Sequence, residues 1–226
     1  MEAVRSTGST GNPVSSTAKV TNAALLGCGV VAGPLFILVA FAQALTRPGF
    51  VLADHPLSLL SLGNLGWIQI ANFVVCGLLF AASAVGMRRS LAGRGAVWGP
   101  RLMMVFAVSL IAGGVFVADP AFSFPPGTPA GAPDSLTWHG ILHGVAPALG
   151  FTALVVATFV FARRFAALRQ RTWMTASIVT GVLVEVLSLY PNVGGSPEGR
   201  FGPLWVAMVL GFGWASALAA HLRRND

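Results

Sequence analysis

Charge is what this sequence has least of. Asp, Glu, Lys and Arg make up 9% of its 226 residues, against about 25% in an ordinary soluble domain, which excludes a water-exposed globular surface. Cysteine occurs twice, at Cys28 and Cys76, and both fall in apolar segments. That placement excludes a disulfide framework and a thiolate metal cage, so both read as small core residues. No polar stretch is long enough to fold as a second domain. No internal repeat stands out either, which argues against the inverted-repeat architecture of many transporters.

What remains is apolar. Hydrophobic residues reach 55%, and mean hydropathy is +0.76. Runs free of Lys and Arg cover 23–45, 65–87, 102–118, 141–162, 173–189 and 204–220. Each approaches the roughly 17–25 residues that cross the hydrocarbon as a helix. The expected fold is an all-α membrane protein, a six-transmembrane-helix bundle over 23–221, with tails at 1–22 and 222–226. The opening "MEAVRSTGSTGNPVSSTAK" is rich in Ser, Thr and Gly and lacks the apolar core of a signal peptide. It reads as a disordered cytoplasmic tail, with the first span retained as a signal anchor.

The net charge of +7 is explained by segregation. Arg5 and Lys19 precede span one. Arg88, Arg89, Arg94 and Arg101 lie between spans two and three, Arg163, Arg164, Arg169 and Arg171 between spans four and five, and Arg223 and Arg224 after span six. Only Arg47 and Arg200 fall on the other side. This bias puts both termini in the cytoplasm of a cell whose plasma membrane the chain spans several times. The basic excess then serves orientation and anionic lipid, and no nucleic-acid partner is implied.

Between spans one and two, "TRPGFVLADHPLSLLSLGNLGWIQIANF" crowds polar residues against the membrane. Pro56 suits a helix first turn, so a short interfacial helix is expected over 56–62. Its leucines would rest in the outer leaflet, Gly63 would end it, and Trp67 would mark the headgroup level. "FPPGTP" reads as a rigid turn in an outer lid, and Glu198 and Arg200 as solvent-facing loop residues. Gly29/Gly33 and Gly140/Gly144 have the small-xxx-small spacing of closely packed helices.

Polar residues recur at helical spacing inside the spans. They are Gln43 and Arg47 near the end of span one; Gln69, Asn72 and Cys76 in span two; Ser109, Gly113 and Asp119 in and after span three; His139, His143, Pro147 and Gly150 in span four; and Ser177, Gly181, Glu185 and Ser188 in span five. Most sit in the outer half, and buried ionisable groups in a span mark a functional site by default. A ligand-binding set of Arg47, His55, Gln69, Asn72, Asp119, His139, His143 and Glu185 is therefore expected in a pocket open to the outer face. In "HGILH" the histidines at i and i+4 can share one metal ion, with Asp119 or His55 as a third ligand and zinc the natural metal. Glu185 and Asp119 are the catalytic candidates in that case, one as a general base beside metal-bound water. The competing reading makes these groups hydrogen-bonding and ion-pairing elements that hold the bundle together.

The segments "GPLF", "QALTRPGF", "HPLSLLSLGNLGWIQIANF", "ADPAFSFPPGTP", "HGILH" and "ARRF" together resemble the bacterial and archaeal integral-membrane family catalogued as domain of unknown function 998. The resemblance covers about 33–190 and implies a polytopic helical fold with no established activity. A looser similarity links the chain to the ceramidase and adiponectin-receptor group of membrane hydrolases, which hold zinc among histidines and an aspartate in seven helices. Six spans, the lack of a late HxxxH helix and outward-facing ligands depart from that pattern. The favoured expectation is an outer pocket that binds a lipid or small amphiphile. The alternatives are a metal-dependent hydrolase or transferase at the outer leaflet, and a small proton-coupled transporter.

Overall fold

The computed structural model describes residues 13–193 and 200–225. Most of the expected disordered tail (1–12) and Glu198 lie outside the described residues. Among the described residues six helices follow one another: α1 (Pro13–Thr46), α2 (Gly66–Ser90), α3 (Trp98–Val115), α4 (Trp138–Ala167), α5 (Arg171–Val193) and α6 (Gly202–Arg224), with a short 3-10 helix η1 (Leu57–Ser61) between α1 and α2. All six are long and apolar enough to cross a membrane, which makes the chain a multi-pass membrane protein. The first helix starts at Pro13, ahead of the apolar run, and the last continues to Arg224.

Each helix packs on its neighbours in the chain, and α1 closes on α6, so the six form a ring. Short connections impose this order, since a tight turn leaves the next helix antiparallel and adjacent. The α1–α6 seam depends on glycine. A Cβ at Gly33 would run into the Phe212 backbone oxygen and the Ser216 hydroxyl. Ser216 exploits the close approach: its Oγ accepts from Gly33 N at 3.0 Å and donates to Gly29 O at 2.7 Å. The hydroxyl thus bridges a main-chain donor and acceptor of α1. The second glycine pair differs from expectation, because Gly140 is pressed against Asp119 while Gly144 faces open space.

At mid-height the ring is filled by phenylalanine. Phe36 and Phe212 lie 4.5 Å apart between ring centroids, Phe106 and Phe212 5.2 Å, and Phe80 and Phe106 5.3 Å. Packing of this kind takes the place of the hydrophobic drive that lipid does not supply. Cys76 is fully buried beside this plug, and Cys28 is half-buried; both are free thiols.

The two ends of the ring are chemically different. At the basic end, Arg164 Nη1 donates to Ala92 O and Arg94 O at 2.7 and 2.9 Å, clamping the α2–α3 connection onto α4. Exposed Trp98 lies there too, with the Arg101 guanidinium over its ring. Exposed Trp67, Trp138 and Tyr190 mark the opposite level, the positions aromatic belts occupy. That opposite end carries a cap made from residues 47–65 and 116–137.

In the cap, η1 is tighter and more buried than the interfacial helix expected over 56–62. Leu57, Leu59 and Leu60 are at most 8% exposed, so they turn into the bundle and do not rest in the leaflet. Arg47 causes this: its Nη1 and Nη2 donate to Leu62 O and Leu60 O at 2.9 and 2.8 Å. A cation on the last carbonyls of a short helix is a favourable cap. Gly63, at φ +72°, ends the segment as expected.

Candidate functional site

A cavity of about 490 Å³ fills the ring between the phenylalanine plug and the cap. Phe36, Phe106, Met208 and Phe212 form its floor and walls, and Pro56 with Leu57 and Ser58 of η1 reach it from the cap. Its polar side chains are Ser58 from η1, Ser109 from α3, His143 and Thr152 from α4, and Glu185 and Ser188 from α5. The exposed members of the lining (Gly144, Pro147, Ala148, Thr152, Glu185 and Leu189) all belong to α4 and α5. The cavity therefore opens sideways between these two helices, at membrane depth. Helix α5 is loosely held: 17% of its apolar stretch is buried, against 33% to 56% in the other five helices.

His143 is built into the wall by the end of another helix. Its Nδ1 lies 2.6 Å from Phe116 O, a carbonyl past the end of α3 that has no helical partner. A carbonyl only accepts, so Nδ1 carries the proton and Nε2 keeps a lone pair. Four residues on, Pro147 sits inside α4. It has no N–H to give the His143 carbonyl, and that oxygen loses its helical bond. Glu185 lies about 12 Å from the cap end of α5 at Val193, at about 1.5 Å per residue. No ion-pair partner for it exists among the described residues.

The other expected site residues are committed elsewhere. Asp119 accepts from Thr137 N through Oδ2 at 2.8 Å and from Thr137 Oγ1 through Oδ1 at 2.7 Å. Thr137 in turn accepts from Gly140 N at 3.1 Å as the N-cap of α4. The carboxylate supports a helix cap, at the end where negative charge is favoured. Gly140 of "HGILH" is explained by the same contact, since the carboxylate lies where a Cβ would be. His139 is exposed and stacked on Trp138 at 3.5 Å between centroids.

Among the described residues no three His, Cys, Asp or Glu side chains come together to hold a metal. The expected His139, His143 and Asp119 set is thus dispersed. The reason is that the ends of α3 and α4 each needed a partner, and two of the three side chains supply one. His55 is also structural: its Nδ1 accepts from Val51 N at 2.9 Å, and its Nε2 donates to Phe122 O at 2.7 Å. Its ring lies among Phe50 and Phe124, and its carbonyl accepts from Trp205 Nε1 at 3.1 Å. This one residue ties both cap loops to α6. The "FPPG" turn joins in, with a cis Phe124–Pro125 bond and Phe124 buried against Phe50.

Gln43, Gln69 and Asn72 pair α1 with α2 away from the cavity. Gln43 Nε2 donates to Gln69 Oε1 at 2.8 Å, Asn72 Nδ2 to Phe36 O at 3.1 Å, and Cys76 Sγ to Asn72 Oδ1 at 3.4 Å. Arg47 acts on η1 as described, and its burial pushes its pKa below the ordinary value. Of the eight expected binding residues, then, His143 and Glu185 line the cavity; Arg47, His55 and Asp119 hold the cap and the start of α4, Gln69 and Asn72 join α2 to α1, and His139 is exposed beside Trp138. Sequence reasoning missed Ser58, Thr152 and the α6 wall. None of these carries a charge or a motif that would single it out.

The fold and this site define a class: a multi-pass helical membrane protein with a mixed apolar and polar pocket near one end. The family model described as Protein of unknown function (DUF998) matches residues 30–221, and the chain belongs to that family. No curated protein and no solved structure matches it.

Proposed function

We propose that this protein binds a lipid or small amphiphile in the cavity beneath the cap, and that the cap faces the outside of the plasma membrane with both termini in the cytoplasm. One observation carries the binding reading. A pocket of about 490 Å³ with aromatic and aliphatic walls, two ionisable side chains and a side opening has the size and mixed lining of a small-molecule site. An apolar tail can leave the bilayer through the α4–α5 gap without crossing water. The orientation rests on the basic end, where Arg88, Arg89, Arg94, Arg163 and Arg164 cluster.

The alternatives have less support. A metal-assisted hydrolase needs His139, His143 and Asp119 on one ion, and hydrogen bonding and stacking hold them apart. A proton-coupled carrier needs a path to the basic end, and the Phe36–Phe106–Phe212 floor closes it. Native mass spectrometry of protein released from lipid nanodiscs tests the proposal. The wild type is expected to retain a bound amphiphile that Gly144→Trp, which fills the mouth, does not. Equal retention by both proteins would refute it.

A further inference from the structure

The polar atoms that face the cavity are biased toward one role. Nε2 of His143, a side chain only 7% exposed, has a lone pair and no donor of its own. The His143 carbonyl lost its helical donor to Pro147. Ser109 and Ser188 spend their hydroxyl protons on the Phe106 and Glu185 carbonyls at 2.7 and 3.0 Å, so these hydroxyls can act only as acceptors. Glu185 adds two acceptor oxygens when ionised. No Lys or Arg is in the lining, and among its side chains only the Ser58 and Thr152 hydroxyls can still donate there.

An anionic head would find almost no donors in such a site, and burying it unpaired is costly. A head that donates hydrogen bonds finds several acceptors and one carboxylate. Resting on the amphiphile reading above, we infer that the pocket selects long-chain primary amines. The ammonium group would lie between Glu185 at the mouth and His143 Nε2 in the wall, and the alkyl chain against the phenylalanine floor. The three protons of the head match the acceptors, and its charge is neutralised by Glu185, which has no ion-pair partner among the described residues.

The test is equilibrium binding of radiolabelled n-dodecylammonium to protein in zwitterionic nanodiscs, with n-dodecanol and n-dodecyl phosphate of equal chain length as competitors. The amine is expected to bind about tenfold or more tightly than the alcohol, and the phosphate not to compete. Glu185→Gln should weaken the amine about tenfold and bring its affinity close to that of the alcohol. Gly144→Trp and, as an independent plug, Ala148→Trp should remove binding of both, each checked for wild-type folding by near-ultraviolet circular dichroism. Phosphate competing as well as the amine, or amine binding indifferent to Glu185→Gln, would overturn the choice of head group while the pocket reading stands. Binding of all three probes that neither plug affects would overturn both.

Discussion

Replacing His55 tests how the cap is held over the pocket. Its imidazole accepts from Val51 N–H and donates to Phe122 C=O, joining the two cap loops. Its ring also contacts Phe50 and Phe124 at 5.1 and 5.5 Å between centroids. Each neutral bond contributes about 1 kcal/mol net, rising to about 1–3 kcal/mol when the abandoned group stays dry. Each ring contact adds about 0.5–1.5 kcal/mol. His55→Phe keeps the ring and loses both bonds, so it should destabilise the cap by about 2–4 kcal/mol. His55→Gln retains a donor and an acceptor and should lose roughly half as much, while His55→Ala loses everything and should cost about 4 kcal/mol or more. Hydrogen exchange of the 48–62 and 119–131 segments reads these losses as local opening. At about 1.4 kcal/mol per decade, His55→Phe should exchange about thirtyfold or more faster than wild type. A Phe variant as protected as the wild type would refute the reasoning, since packing alone would then hold the cap.

Further outcomes follow from other contacts. Gly33→Leu drives a side chain into the α6 backbone and should cost more than about 3 kcal/mol, seen as loss of folded protein in detergent. Gly144→Leu, which meets open space, should melt within a few degrees of wild type. Arg47→Met removes two charge-assisted bonds to η1, about 3 kcal/mol, and Arg47→Lys should recover part of this in the same melts. Glu185→Gln strands no counter-charge, so its stability should match wild type within about 0.5 kcal/mol. A large loss would reveal an ion pair that the described residues do not contain. Elemental analysis of wild-type and His143→Ala protein should give the same zinc content, and stoichiometric zinc lost in the variant would restore the metal reading. Reporter fusions after Arg94 and Arg169 should report the cytoplasm and one near Pro129 the outside; the reverse result would invert the orientation.

The α5 stripe shows how far a polar pattern can be read. Ser177, Gly181, Glu185 and Ser188 share a helix face, which the spacing alone indicates. Ser177 accepts from Trp214 Nε1 at 3.1 Å, and Gly181 packs against Thr158, so the basic-end half of the stripe is spent on packing. Glu185 and Ser188 line the cavity. Periodicity finds the face and cannot tell which half of it will be covered, because that depends on α4 and α6.

The six spans, their order and the basic asymmetry were legible because they are sums over contiguous residues, and the bilayer reads them locally, span by span. The presence of polar groups near one end was equally plain. Which of those groups remain free was decided only in three dimensions. Asp119 was drawn to the α4 cap through Thr137, His55 to Phe122 O, and Arg47 to the end of η1, in each case by backbone groups that the fold left short of partners. A buried N–H or C=O must be paired, and the nearest polar side chain answers that need before any ligand does. His143 answers it with one nitrogen and keeps the other, and Glu185 faces the mouth with nothing to answer. That difference arises from helix ends distant in sequence, and it made a pocket from two of the eight residues that the chain alone had offered.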